Sequence, residues 1–387
     1  MEVRLLGNGS ELENSIVRIV VTRLELPAGS RNSYRRRHTD RRFADSHLRR
    51  AIDVAGRETK QGCSAAPSTR SWHLYRLFIA DRGNLPSRNY IVDYQSAPIT
   101  MPNESWTALG NAIARATETQ RTDRLFSDHL AQHFVAAAGP EIPFLPAQET
   151  LPQPQSTPHS DLMAMIGDVI VIKTRFFDEY FHQACTAGCR QVVVLAAGLD
   201  TRAFRLNWPA GLRLFEVDLP DVLEFKEQVL TDQGARPTCE RIVVHADLRT
   251  DWPTALRNAG FGIGHPTAWL AEGILGVFTA AHCDWLLDEM NLLSGPSSWF
   301  ALDHTHDGSV ATPRLQPFFE GTGISLDEMI KGGPTDPADQ WLIRHGWLPT
   351  TYDVVKQAVA YRRPIPVLFR GDRQEHGNIL FQAQRMA

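Results

Sequence analysis

Cysteine is scarce: Cys63, Cys185, Cys189, Cys239 and Cys283 are the whole supply, and no CxxC pair occurs among them. So sparse and odd a set excludes a disulfide scaffold and a cysteine-based zinc site. It predicts a reducing, cytoplasmic setting and no bound metal. Long apolar runs are missing as well. None approaches the roughly 20 residues needed to span a membrane, and the N-terminus lacks the charged-then-apolar order of a signal peptide. Lysine is nearly absent, with 5 residues against 35 arginines. Repeats and low-complexity tracts do not occur. What remains, at 387 residues, 43% hydrophobic and 22% charged, is the composition of a globular protein with a large core. A net charge of −4 argues against a polyanionic partner for the chain as a whole.

The charge is unevenly distributed. Residues 1–100 hold 16 Arg and 1 Lys against 5 Asp and 5 Glu, whereas residues 101–387 hold 23 basic and 34 acidic groups. A boundary near residue 100 follows. Within the first part, Ile16 to Leu26 reads as one strand. The arginines at 35, 36, 37, 41, 42, 49 and 50 could form an arm for nucleic acid or an anionic membrane. Only Tyr34 and Phe43 interleave as aromatics, so residues 1–100 read instead as a disordered tail or a non-native extension, with Met101 as an alternative start.

From Ser105 the pattern becomes helical, with Leu109, Ile113 and Ala116 on one face. A proline-rich stretch from Pro140 to Pro158 reads as a loop. Asp161 is placed to cap a second helix reaching about Ala184, with Met165, Val169, Ile172, Phe176 and Tyr180 at helical spacing. Strands are then predicted at Val192–Ala197, Leu212–Val217, Arg241–His245, Thr267–Ala271, Ser298–Asp303, Trp347–Tyr352 and Asn378–Gln384. Helices fall between them, near Thr201–Leu206, Leu219–Asp232, Trp252–Ala259, Ala280–Leu293 and Pro337–His345. Strands separated by helices imply parallel crossovers and a doubly wound sheet. Residues 305–336 interrupt the alternation and read as a lid insertion.

The first two strands carry the most specific signal. Val192 to Ala197 ends in the small-residue turn Ala196-Ala197-Gly198, and Leu212 to Val217 ends on Asp218. A glycine turn lets a ligand approach the backbone, and a carboxylate closing the next strand can accept from two ribose hydroxyls. Glu216 lies on the same side of that strand; Asp218, nearer the end, is the favoured ribose ligand. The nicotinamide fingerprint G-x-G-x-x-G is absent, and no Tyr-x-x-x-Lys pair stands nearby. S-adenosylmethionine is the alternative adenosine-type ligand.

Five motifs, KTRFFDEYF, VVVLAAGLDTRAFRL, LFEVDLPDVLEFK, HADLR and AEGILGVF, occur in that order. Together they resemble the leucine carboxyl methyltransferase family, in particular its bacterial branch of S-adenosyl-L-methionine-dependent enzymes. The likeness runs from about Ser105 to the C-terminus. It implies a seven-stranded, mostly parallel, class I methyltransferase-like α/β fold with helical N-terminal additions. It also implies donor contacts. Arg175 would grip the donor's carboxylate, since a guanidinium can do so through two bonds. Ala196 and Gly198 would lie along the tail, with Ala196 standing where many relatives have glycine. Asp218 would take the ribose, Asp247 and Leu248 the adenine, and Glu272 the amino group on the acceptor side.

Methyl transfer from a sulfonium needs mainly positioning and exclusion of water, so no obligatory catalytic residue is expected. Glu272 and His304 are candidates, His304 as a general base if the acceptor is a hydroxyl; His306 lies close by. The expected reaction is O-methylation of a carboxylate, or a hydroxyl, on a small metabolite or peptide end. The competing readings are a catalytically silent donor-binding protein and a nicotinamide-dependent oxidoreductase on a similar sheet. Asp200 reads as structural, and Arg202 and Arg205 as helix-surface or acceptor-side charges.

Overall fold

The computed structural model describes residues 106–138, 158–304, 330–369 and 379–386, together with four strands within residues 1–99. The chain divides into two compact units, Met1–Ile99 and Thr100–Ala387. In the first, strands Glu2–Val3, Asn89–Gln95, His73–Ala80 and Arg18–Arg23 pair antiparallel in that order. The strand predicted across Ile16 to Leu26 is present as Arg18–Arg23. The arginine-rich stretch, most of the proline-rich loop, residues 305–329 of the predicted lid and His306 lie outside the described residues.

The second unit is built on a seven-stranded sheet. Its strands are β1 Gln191–Leu195, β2 Arg213–Asp218, β3 Glu240–His245, β4 Thr267–Ala271, β5 Trp299–His304, β6 Trp347–Asp353 and β7 Ile379–Arg385. The spatial order is β6-β7-β5-β4-β1-β2-β3. From β5 to β3 every neighbouring pair is parallel. β7 runs antiparallel to both β5 and β6 and lies between them. A sheet that is otherwise parallel, closed on one side by a reversed final strand, is the class I methyltransferase arrangement the sequence implied.

The local reasons are legible. Every residue of β1 and of β4 is buried, as expected of parallel strands covered on both faces. Alternation along β1 sends Val193 and Leu195 into one core with Trp252, Trp269 and Leu286. Val192 and Val194 enter the other core, under the long N-terminal helix. That helix, α3, spans Pro158–Thr186 and follows α1 Trp106–Thr119 and α2 Ala131–Ala138. It starts three residues before the predicted Asp161 cap, because proline's fixed φ suits the first turn. Phe176, Phe177, Tyr180 and Phe181 are all buried against the sheet, each contributing roughly 1.5–3 kcal/mol of burial. The Tyr180 hydroxyl donates to the Trp269 carbonyl at 2.8 Å.

Between the strands lie α4 Arg202–Arg205, α5 Pro220–Asp232, α6 Trp252–Asn258, α7 Ala280–Leu293, α8 Ala338–Arg344 and α9 Val354–Ala360. Side chains cap three of them: Asp251 accepts from Thr254 N–H, Thr279 from His282 N–H and Asp353 from Lys356 N–H. Helix α9 was not predicted, although Asp353 preceding a run of helix formers is its start signal. Among the described residues no helix is long and apolar enough to cross a membrane.

Candidate active site

After β1 the chain turns outward to β2 and β3, then crosses back to place β4 on the other side of β1. The crevice outside the C-terminal ends of β1 and β4 is therefore the switch point where an open α/β sheet takes its ligand. The sequence-predicted residues Ala196, Gly198, Asp218, Asp247, Leu248, Glu272 and His304 all lie at the C-terminal ends of β1 to β5, along this one edge.

The turn after β1 is left-handed at two points, with φ +48° at Ala196 and +46° at Gly198. Gly198 is packed so closely under α1 that a Cβ there would stand 3.0 Å from the Ala108 Cβ. Asp218 fastens the turn: one oxygen accepts from Gly198 N–H at 2.5 Å and the other from Leu219 N–H at 2.7 Å. Burial raises its pKa, and these two amide bonds only partly offset the effect. Each oxygen retains a second lone pair for a hydroxyl. Glu216, two residues earlier, is shut away from any ligand by burial. It is fully buried between Lys226 Nζ at 2.6 Å and the Arg241 guanidinium at 2.7 Å.

Past β3, the Asp247 carboxylate is exposed enough to meet a ligand and currently accepts from Arg249, through its backbone N–H at 2.8 Å and its guanidinium. The Arg249 bond comes first among the causes that lower its pKa. It does not cap α6; Asp251 does. Leu248 is buried, and its carbonyl is 2.9 Å from His282 Nε2. A carbonyl can only accept, so that nitrogen carries the proton. His282 packs between the Phe278 and Trp285 rings, at 4.6 and 5.1 Å. This aromatic wall beside the Asp247–Leu248 pair was missed in sequence, although 278, 282 and 285 stand at i, i+4, i+7.

Glu272, just after β4, belongs to a buried ion network. Its Oε2 accepts from Arg202 Nη1 at 3.1 Å, and Arg202 also holds Asp178 at 2.9 Å and closely contacts Asp200. Arg205 grips both oxygens of Asp178 at 2.6 and 2.8 Å. Arg202 is 2% exposed, so it is an interior charge and not a surface one. Burial alone would push the Asp200 carboxyl up, but Arg202, Lys226, Arg115 and Arg205 overcome that and hold it at about 2. Asp200 also accepts from Arg202 N–H at 2.7 Å, the local structural role expected of it.

The two cations of the KTR motif part company. Positions two apart on an α-helix point about 200° apart. Arg175 donates to Glu179 at 2.8 Å and to the Leu125 carbonyl at 3.2 Å, and its side chain is 41% exposed. Lys173 is buried and donates to Asp303 Oδ2 at 3.0 Å, at the end of β5. The other oxygen of Asp303 accepts from Gly273 N–H at 2.6 Å. Burial opposes the Lys173 charge, but Asp303 and Glu272 outweigh it and raise its pKa. A sequence signal existed: Lys173 falls in the apolar stripe Val169, Phe176, Tyr180, where a charge is out of place on a merely structural face.

His304 ends β5 and is buried beneath a strap. Lys331 and Gly332 N–H both donate to the Gly276 carbonyl, at 2.8 and 3.1 Å, and Gly333 N–H to the Phe278 carbonyl at 3.0 Å. The end of the predicted lid thus lies on the AEGILGVF motif.

The strand order and the row of acceptors at the switch point define a class I methyltransferase-type protein. Comparison with known proteins carries this further. The family model for leucine carboxyl methyltransferase matches residues 108–291. A provisionally named S-adenosyl-L-methionine-dependent methyltransferase of Parafrankia sp. (strain EAN1pec) is 44% identical over 265 residues, covering 67% of this chain and 82% of that protein. One from Rhodococcus jostii (strain RHA1) is 42% identical over 273 residues, covering 68% and 88%. Similarity to solved structures is looser: a provisional methyltransferase of Thermobifida fusca YX is 15% identical with a TM-score of 0.43, covering 71% of this chain and 94% of that one. The chain belongs to the leucine carboxyl methyltransferase family and is an S-adenosyl-L-methionine-dependent methyltransferase.

Proposed function

We propose that this enzyme is an O-methyltransferase acting on a carboxylate of a small metabolite or a peptide end. The observation behind this reading is that the acids and bases described at the C-terminal ends of β4 and β5 are engaged. Glu272 is paired with Arg202, Asp303 with Lys173, and His304 is buried and partnered. An acceptor that needs no deprotonation suits such a site, and a carboxylate with pKa near ~4 is already ionised at neutral pH. A hydroxyl acceptor would need a base in the transition state.

The donor supplies a sulfonium-activated methyl group. The chain's part is to bind and orient. The small-residue turn at Ala196 to Gly198 lies along the tail. Asp218 accepts from the ribose and Asp247 from the adenine amino group. Leu248 offers its amide to the adenine, and Glu272 faces the ammonium. We take residues 101–387 as the methyltransferase domain and 305–336 as its lid, which together exclude water from the crevice.

Calorimetry with S-adenosylhomocysteine tests the donor site. Asp218→Ala removes a charged acceptor worth roughly 1.5–3 kcal/mol and should weaken binding at least about tenfold. Undiminished affinity refutes the assignment. The acceptor class is tested by transferring an isotope-labelled methyl group to matched acids and alcohols and then treating the product with base. A carboxyl methyl ester releases labelled methanol; a base-stable product refutes the carboxylate reading.

A further inference from the structure

The chain leaves β3 through a β-turn over Asp247–Thr250, closed by Thr250 N–H donating to the Asp247 carbonyl at 3.0 Å. Its central peptide joins Leu248 to Arg249. A central peptide has no backbone partner inside its turn, and turning it over exchanges the type I form for type II. Here it is held at both ends. Its N–H, on Arg249, donates to Asp247 Oδ1 at 2.8 Å. Its carbonyl, on Leu248, accepts from His282 Nε2 at 2.9 Å.

His282 reaches this carbonyl from the first turn of α7, 34 residues further along the chain. Its own N–H is taken by the Thr279 cap, and its ring is set between those of Phe278 and Trp285. Imidazole, peptide and carboxylate therefore form one line of hydrogen bonds, whose members polarise one another. The peptide is planar, so holding its carbonyl also aims its N–H. If the peptide turned over, the Leu248 carbonyl would face the Asp247 carboxylate, acceptor to acceptor. Arg249 would also need a positive φ, which it does not have. A packed histidine is most often a core residue that bonds the nearest carbonyl. This carbonyl, however, belongs to the one peptide that Asp247 itself holds.

We propose that His282 is a positioning residue for base recognition: through the Leu248–Arg249 peptide it sets the Asp247 carboxylate that accepts from the 6-amino group of the donor's adenine. It thereby contributes to the choice of adenine over a 6-oxo purine. This rests on the adenine reading of Asp247 and Leu248 above. A 6-oxo purine reverses both partners, since its oxygen would face the carboxylate and its N1–H the Leu248 amide. His282 touches no reacting atom.

The test is calorimetry on the full chain with two probes that differ only at the base, S-adenosylhomocysteine and S-inosylhomocysteine. Wild type should favour the first by at least about tenfold. His282→Phe keeps a ring between Phe278 and Trp285 but removes the bond. It should weaken S-adenosylhomocysteine about threefold or more and leave S-inosylhomocysteine within about twofold of wild type. His282→Ala, which leaves a space instead of a ring, should narrow the preference in the same way. His282→Gln, whose side-chain amide can donate to the same carbonyl, should return it to within about twofold of wild type. Equal weakening of both probes by His282→Phe and His282→Ala means a structural role and overturns the inference, as does an unchanged preference. Asp247→Ala tests the reading beneath it. If that variant keeps the preference for adenine, or wild type has none, Asp247 is not the adenine acceptor and the inference falls with that reading.

Discussion

Replacing Ala196 by glycine and Gly198 by alanine should move stability in opposite directions, although the positions are two apart in one turn. Both backbones are left-handed, at φ +48° and +46°. An L-residue there costs roughly 1–2 kcal/mol, while glycine surrenders roughly 0.5–1 kcal/mol more backbone entropy on folding. Ala196→Gly removes the first cost and incurs the second, a net gain of about 0.5–1 kcal/mol. Gly198→Ala reverses both and also sets a methyl 3.0 Å from the Ala108 Cβ. Carbon atoms prefer about 3.5–4.0 Å, so α1 or the turn must shift, and the total loss should exceed about 1 kcal/mol. The two variants should then differ by about 2 kcal/mol, or roughly 4–8 °C in melting temperature for a unit of this size. Urea unfolding followed by tryptophan fluorescence, extrapolated linearly, reads the difference directly. A destabilised Ala196→Gly, or a neutral Gly198→Ala, would show that the turn is not held as described.

Glu216→Ala leaves Lys226 as an uncompensated interior charge, while Arg241 keeps Glu227 at 2.6 Å, and should cost about 3–5 kcal/mol in the same assay; a loss below about 1 kcal/mol refutes the buried pairing. Asp200 is held at about 2 against an ordinary 3.8, so its contribution is present above the ordinary value and disappears as pH falls toward 2. An Asp200→Asn variant should therefore lose less stability than wild type across that window in acid unfolding, and identical acid limbs would contradict the assignment. Gly333 has φ +75°, and a Cβ there would stand 2.7 Å from His304 Cε1. Gly333→Ala should lift the strap and speed limited proteolysis near Lys331, whereas unchanged cleavage would place the strap's hold elsewhere.

Much of the fold was legible because its causes are local. The seven strands were predicted to within a residue or two, since an apolar run of five or six residues bounded by turn formers has few other structures open to it. Asp218 was preferred to Glu216 on position alone; what the sequence could not show is that Glu216 is fully buried with Lys226 and Arg241 on one of its oxygens. Of the two readings of Arg202 and Arg205, helix-surface or acceptor-side charges, the surface one does not hold for Arg202, because its partner Asp178 comes from a helix 24 residues away; Arg205 meets the same carboxylate. Charge in a sequence says nothing about which carboxylates the fold will bring to it.

The sequence by itself determined the run of strands, the small-residue turn after β1, the acid that closes β2 and the family. Each depends on residues close along the chain, where spacing and chirality leave little choice. Only the tertiary structure decided that the last strand is reversed and inserted between β5 and β6, that Lys173 is buried against Asp303 while Arg175 meets Glu179, and that Asp303 joins α3 to the end of β4. Those outcomes depend on which face of a helix the sheet covers and on contacts such as Lys173 to Asp303, 130 residues apart. Packing of the whole core selects such contacts, and no local pattern specifies them.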